Sequence, residues 1–103
     1  MSYQLVLQFR SSAFVDVDAL LALEDSLIEQ ISSSADVDGH DYGSGEANIF
    51  VLTSDPIDTF GAVKPVLDRA GLLTSVTVAY RPINEDRYTV LWPAHSEKLF
   101  QVA

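Results

Sequence analysis

The spacing of apolar residues changes along this chain from every second residue to every third or fourth residue and back again, which constrains the fold more strongly than any other feature. Residues 2–9 alternate, and one face of that segment carries Tyr3, Leu5, Leu7 and Phe9. A period of two predicts a half-buried β-strand. The next patterned segment predicts an amphipathic helix, because its apolar residues recur at helical spacing. These residues are Val17, Leu20, Leu21, Leu27, Ile28 and Ile31.

A β-hairpin and a second helix are predicted after the first helix. Residues 36–42 and 46–53 are extended candidates, and the glycines at positions 43 and 45 supply the positive φ angles that a tight turn requires. Pro56 is suited to the first position of a helix, where its missing amide hydrogen has no partner to lose. The helical spacing of apolar residues continues from there until Gly71.

The order of these elements indicates one mixed domain. Residues 75–81 alternate again, and residues 88–92 form a further extended piece that could pair with them. Strand, helix, hairpin, helix and strand fit two right-handed β-α-β units. We therefore predict an α+β, ferredoxin-like β-α-β-β-α-β fold, with two helices on one face of an antiparallel sheet and an extra C-terminal strand. Residues 1–103 are predicted to be a single domain, with a core of about residues 2–82 and an extension of about residues 83–103.

The chain is strongly acidic, with six Lys and Arg residues against fifteen Asp and Glu residues and a formal net charge of −9. Such a surface repels a phosphate backbone, so we expect no nucleic acid ligand. It would attract a basic protein and raise the rate of encounter with it. The simpler interpretation of the same charge is solubility.

The composition also limits the kinds of site that the chain can form and the cellular compartment in which we expect the protein. The chain contains no cysteine, which excludes disulfides, thiolate metal clusters and a cysteine nucleophile. The sequence has neither the pattern of a signal peptide nor an apolar run long enough to cross a bilayer. We therefore predict a cytoplasmic protein that does not contact a membrane.

The face of the sheet opposite the helices is predicted to be partly apolar. Strand parity places Val6, Phe50 and Leu52 on it, and a patch of this kind needs a cover. The segment 88–92, a second copy of the chain or another protein could provide one. We therefore expect either a homodimer or a complex with a protein partner.

Polar residues are predicted to share one end of the same face. The antiparallel pairing of the first and fourth strands brings Arg81 towards Gln4. The residues that parity places on this face are Gln4, Gln8, Glu46, Asn48, Thr77 and Arg81. Arg81 could hold a carboxylate ligand or anchor an interface. The alternative is an ordinary surface ion pair between Arg81 and Glu46, which would contribute little.

Two further residues are candidates for binding. His40 could hold a proton near neutral pH together with Asp38 or Glu46, but the spacing of this group is not that of a metal site, and we predict no metal or cofactor. Trp92 is either part of the core or an aromatic anchor for a partner. We predict no catalytic residue. The predicted binding residues are Gln4, His40, Glu46, Asn48, Arg81 and Trp92.

Three runs of the sequence resemble a group of small uncharacterised bacterial proteins of about this length. They are VDGHDYGSGEANIF at residues 37–50, VAYRP at residues 78–82 and YTVLWP at residues 88–93. The resemblance covers most of the chain, and it brings no established activity and no catalytic residue. It implies a bacterial cytoplasmic protein.

Two functions are compatible with these features. The first is a non-enzymatic module that self-associates or binds a protein, as a toxin-neutralising immunity protein binds a basic toxin. The second is a small-molecule-binding domain or a modest enzyme, in which the sheet face of a dimer encloses a pocket lined by Arg81, Glu46, Asn48 and His40. The negative charge and the predicted open sheet face favour the first.

Overall fold

A computed structural model describes residues 2–43, 45–94, 100 and 102, and within these ranges the chain forms five strands and two α-helices. Their bounds are β1 (Tyr3–Phe9), α1 (Val17–Ile31), β2 (Ala35–Tyr42), β3 (Ala47–Thr53), α2 (Pro56–Arg69), β4 (Thr77–Pro82) and β5 (Thr89–Trp92). The strands form one antiparallel sheet in the order β2-β3-β1-β4-β5. The predicted α+β fold, with its ferredoxin-like order and its additional C-terminal strand, is confirmed.

Each α-helix begins at an aspartate that caps the free amides of the first turn. The carboxylate of Asp16 accepts a hydrogen bond from the amide of Ala19, and that of Asp55 accepts one from the amide of Asp58, both at 3.0 Å. An aspartate in this position satisfies a donor that has no partner within the helix. Pro56 follows the second cap at the predicted first position.

The main core lies between the sheet and the two helices, which pack on the same face. Burial of each large aliphatic side chain contributes about 1.5–3 kcal/mol, so this layer supplies most of the stability. The helices contribute Leu20, Leu23, Leu27, Ile31, Val63, Val66 and Leu67 to it. The sheet contributes Leu5, Leu7, Phe9, Ile49, Val51 and Val78.

The apolar centre of the opposite face is covered by the C-terminal part of the same chain. Val6 and Ala79 are fully buried there, and Phe100 packs on them. The rings of Tyr88 and Phe100 lie 4.9 Å apart. Phe50, Val90 and Val102 complete this second, smaller cluster. The face is therefore not bare at its centre.

Candidate functional site

The pairing of the strands divides the predicted polar residues into two groups at opposite ends of the sheet face. Gln4 of β1 pairs with Arg81, whereas Gln8 pairs with Asn48 on one side and Thr77 on the other. Gln4 and Gln8 are separated by about 13 Å along the strand, at the usual rise per residue. The prediction of a single polar cluster is therefore wrong. The apolar row of Val6, Phe50 and Ala79 lies between the two ends.

Arg81 is engaged by its own turn. It donates hydrogen bonds from Nη1 to the carbonyls of Pro82, Ile83 and Glu85, at 3.3, 3.0 and 2.9 Å. Its guanidinium carbon lies 5.9 Å from the centre of the Tyr88 ring, and the Tyr88 hydroxyl donates to Gln4 Oε1 at 3.3 Å. The predicted proximity of Gln4 and Arg81 is present. An ion pair between Arg81 and Glu46 is excluded, because these residues lie at opposite ends of the face.

Glu46 organises the other polar end. Its Oε1 accepts hydrogen bonds from Gln8 Nε2 at 2.6 Å and from Asn48 Nδ2 at 3.0 Å. Asn48 is only 1 % exposed, and its Oδ1 has no hydrogen-bond partner in the part of the chain that the structure describes. Glu46 also borders a surface cavity of about 370 Å³, which Arg10 and Ser75 help to line. A carboxylate beside a buried unpaired acceptor suits a ligand that donates hydrogen bonds.

His40 does not lie on this face, and its predicted place beside Glu46 and Asn48 is wrong. Val37 pairs with Val51 and Gly39 with Phe50, so Asp38 is the extra residue of a β-bulge. The bulge reverses the parity of the strand. His40 consequently lies on the helix side, where its Nδ1 is 3.1 and 3.2 Å from the two carboxylate oxygens of Glu24 in α1.

Trp92 also lies on the helix side of the sheet. It pairs with Val78, and its Nε1 donates to the carbonyl of Leu73 at 2.8 Å. The centre of its ring is 5.9 Å from that of Phe60, and Lys64 Nζ lies 4.5 Å from the Trp92 ring. These contacts place Trp92 at the border of the main core, which agrees with the core alternative rather than with a partner anchor.

A surface that the sequence did not single out follows the outer side of α1 and the neighbouring edge strand β2. Val17, Leu21 and Ile28 belong to the predicted apolar face of the helix, but they are 41 %, 36 % and 44 % exposed. Together with Glu24 they form one stripe beside the buried stripe, because residues spaced by three and four share a helix face. His40 and Tyr42 lie on the same side of β2, since they pair with Ile49 and Ala47. We call Val17, Leu21, Glu24, Ile28, His40 and Tyr42 the α1–β2 flank.

This flank lies in the most acidic part of the chain. Residues 11–63 contain eleven Asp and Glu residues and no Lys or Arg. Exposed carboxylates border the apolar stripe on the outer side of α1, and neither α1 nor β2 contains a Lys or Arg residue. The bordering residues are Asp18, Asp25 and Glu29, whereas Asp36 and Asp41 of β2 pair with Leu52 and Asn48 and therefore lie on the opposite face of the sheet.

A larger cavity, of about 560 Å³, lies at the start of α2. Tyr3, Tyr80 and Arg87 are among the residues that line it, and none of the predicted binding residues does.

Within the described ranges, no three His, Asp or Glu side chains are grouped so that they could hold a metal ion. The helices of these ranges lack the combined length and apolar character that crossing a membrane requires.

Comparison of the chain with protein-family models, with curated proteins and with solved structures gives no match in any of the three. The resemblance of residues 37–50, 78–82 and 88–93 to small bacterial proteins therefore stays a prediction.

Proposed function

We propose that this chain is a non-enzymatic cytoplasmic module that binds a basic protein. The observation that supports the proposal is the segregation of charge along the chain, since all six Lys and Arg residues lie outside residues 11–63. A surface of one sign produces a field that steers an oppositely charged protein towards it. Charge alone does not hold a complex together for long. The exposed apolar stripe of α1 adds a contact from which water is excluded, and such a contact slows dissociation of the complex.

The partner in this proposal is a different protein rather than a second copy of the chain. Two copies meeting through the α1–β2 flank would bring rows of carboxylates together, and such repulsion disfavours association. Two copies meeting through the sheet face would first have to displace Phe100 from Val6 and Ala79. A basic surface meets neither obstacle.

The state of the polar side chains supports binding over catalysis. Arg81 is occupied by backbone carbonyls of its own turn, and the Glu46 carboxylate accepts from Gln8 and Asn48. His40, the histidine among the described residues, contacts Glu24 on the other side of the sheet. No pair of these groups converges on one cavity as an acid and a base would.

The experiment is an affinity capture from a lysate of the source organism, with the wild type and two double variants compared. Asp25→Lys with Glu29→Lys reverses charge on α1, and Asp68→Lys with Glu85→Lys makes the same change in net charge at exposed positions elsewhere. We expect the wild type to retain a basic protein, identified by mass spectrometry and then bound in purified form. The α1 variant should lose this binding far more than its control. Equal loss in both variants, or an acidic partner, would contradict the proposal.

A small-ligand site is the second candidate, and the unpaired Oδ1 of buried Asn48 beside Glu46 is the observation that favours it. Its ligand would be an amine or another hydrogen-bond donor. Titration with ethanolamine and agmatine, followed through the side-chain amide NMR signal of Asn48, tests this. Saturable shifts that Glu46→Gln abolishes would support the site, whereas unchanged spectra would remove it.

A further inference from the structure

We infer that the basic partner docks an amphipathic α-helix, with basic residues along one side of its apolar stripe, on the α1–β2 flank. The inference rests on the proposed function and specifies the surface and the shape of the partner. It follows from the geometry of the exposed stripe, from the position of β2 beside it and from the placement of the carboxylates.

The exposed stripe of α1 has the dimensions of a helix–helix contact. From Val17 to Ile28 it spans twelve residues, a length of about 16 Å at the rise of an α-helix, which corresponds to three turns of a partner helix. Its members recur at intervals of four, three and four residues, the pattern into which the side chains of a second helix pack. The buried stripe of Leu20, Leu23, Leu27 and Ile31 fixes the rotation of α1, so the exposed stripe points away from the core.

Strand β2 forms the other part of this surface, beside the stripe of α1. α1 leads into β2 through a short turn, so the two elements run in opposite directions, and the contact of Glu24 with His40 aligns them. Ile28 therefore lies nearer the connecting turn, while Leu21 and Val17 extend in the direction of Tyr42. The flank therefore presents apolar side chains along α1 and the Tyr42 ring on β2.

The charges favour a helix with one basic margin. Asp18, Asp25 and Glu29 follow the solvent side of the stripe on α1, whereas Asp36 and Asp41 of β2 pair with Leu52 and Asn48 and lie on the opposite face of the sheet. A helix that places apolar residues on the stripe would carry the residues on one side of its own stripe towards the carboxylates of α1. Lys or Arg at those positions would pair with them.

The edge of β2 is poorly suited to the main alternative, the addition of a partner strand. The bulge at Asp38 interrupts the row of backbone groups, and Gly39 has a φ of 148°, in a region that other residues rarely adopt. Asp36 and Asp41 add charge along the same strand. Bulges and charged residues are the devices by which edge strands avoid pairing with other chains.

The test measures the binding of four synthetic peptides of about eighteen residues, long enough for five helical turns, to the full chain by fluorescence anisotropy. The first has Leu at helical spacing with Lys along one side of the Leu stripe. The second has the same composition in scrambled order, the third replaces Lys by Glu, and the fourth alternates Val and Lys as a strand would. Variants Leu21→Gln and Ile28→Gln are compared with Ile57→Gln and Ile83→Gln, which change exposed apolar residues outside the flank.

We expect the first peptide to bind at least about tenfold more tightly than the other three, and Leu21→Gln and Ile28→Gln to weaken it by about tenfold each. Ile57→Gln and Ile83→Gln should leave its affinity unchanged. Equal binding of the scrambled peptide would contradict helix docking but would still be consistent with a basic partner. Tighter binding of the alternating peptide would replace helix docking by strand addition. Absence of any basic protein in the lysate capture would reject the proposed function itself, independently of the peptides.

Discussion

Two buried threonine hydroxyls join the end of β3 to the start of α2. Thr53 Oγ1 lies 2.6 Å from Thr59 Oγ1 and also accepts a hydrogen bond from the amide of Asp55 at 3.0 Å. Thr59→Val keeps the side-chain volume but leaves the Thr53 hydroxyl without that partner. We expect a loss of about 1–2 kcal/mol in the free energy of unfolding, measured by urea denaturation. Thr74→Val, at an exposed position, should change it little, and equal values for both variants would contradict this account.

The position of His40 shows that one inserted residue is enough to make a prediction based on strand parity wrong. The alternation of β1 correctly separates Leu5 and Leu7 from Gln4, because that strand is regular. In β2 one inserted residue moves His40 to the opposite side of the sheet. Gly39 was the available signal, since a glycine inside a strand pattern often marks a bulge. Which residue becomes the extra one depends on the pairing with β3, which the local sequence does not contain.

Helix α1 carries two apolar stripes of different importance to folding. Leu27 is fully buried, whereas Leu21 lies on the exposed stripe. Leu27→Ala should therefore lower the free energy of unfolding by about 2–5 kcal/mol, as other large-to-small core substitutions do. Leu21→Ala, the matched change on the same helix, should lower it by less than about 1 kcal/mol. Similar losses of unfolding free energy in the two variants, measured by chemical denaturation, would show that Leu21 is packed in the core and that the flank is not an exposed surface.

The C-terminal segment should contribute to stability as a second layer on the sheet. Phe100 is 8 % exposed and packs on Val6 and Ala79. Phe100→Ala is expected to cost about 3 kcal/mol and to expose a surface that binds a hydrophobic dye. Val15→Ala, at a residue that is 92 % exposed, provides the control with little expected change. A loss below about 1 kcal/mol in the first variant would argue against this packing.

The elements themselves were largely predictable from local signals. The aspartate before Pro56 and the periods of two and near four indicate where helices and strands begin and end. Of the two hairpin glycines, Gly45 has the predicted positive φ, at 97°, and Gly43 does not. The exposure of Val17, Leu21 and Ile28 was not predictable in the same way. All of them fit the helical spacing, and only the position of α1 against β2 and α2 decides which stripe becomes the core.

At the scale of the whole molecule, the order of elements and the handedness of β-α-β units were enough to predict the topology. They could not predict what covers the second face of the sheet, because the last residues of the chain carry no strong period. They also could not separate Gln4 and Arg81 from Glu46 and Asn48, because that separation depends on the register of three strands.

An NMR titration of the isotopically labelled chain with the helical Leu and Lys peptide tests whether the acidic α1–β2 flank receives a basic protein segment. We predict that the amide shifts change at Val17–Ile28 and at His40–Tyr42, while those of Val6 and Tyr88 stay in place. Changes centred on Val6 and Tyr88, or no saturable change anywhere, would contradict the account.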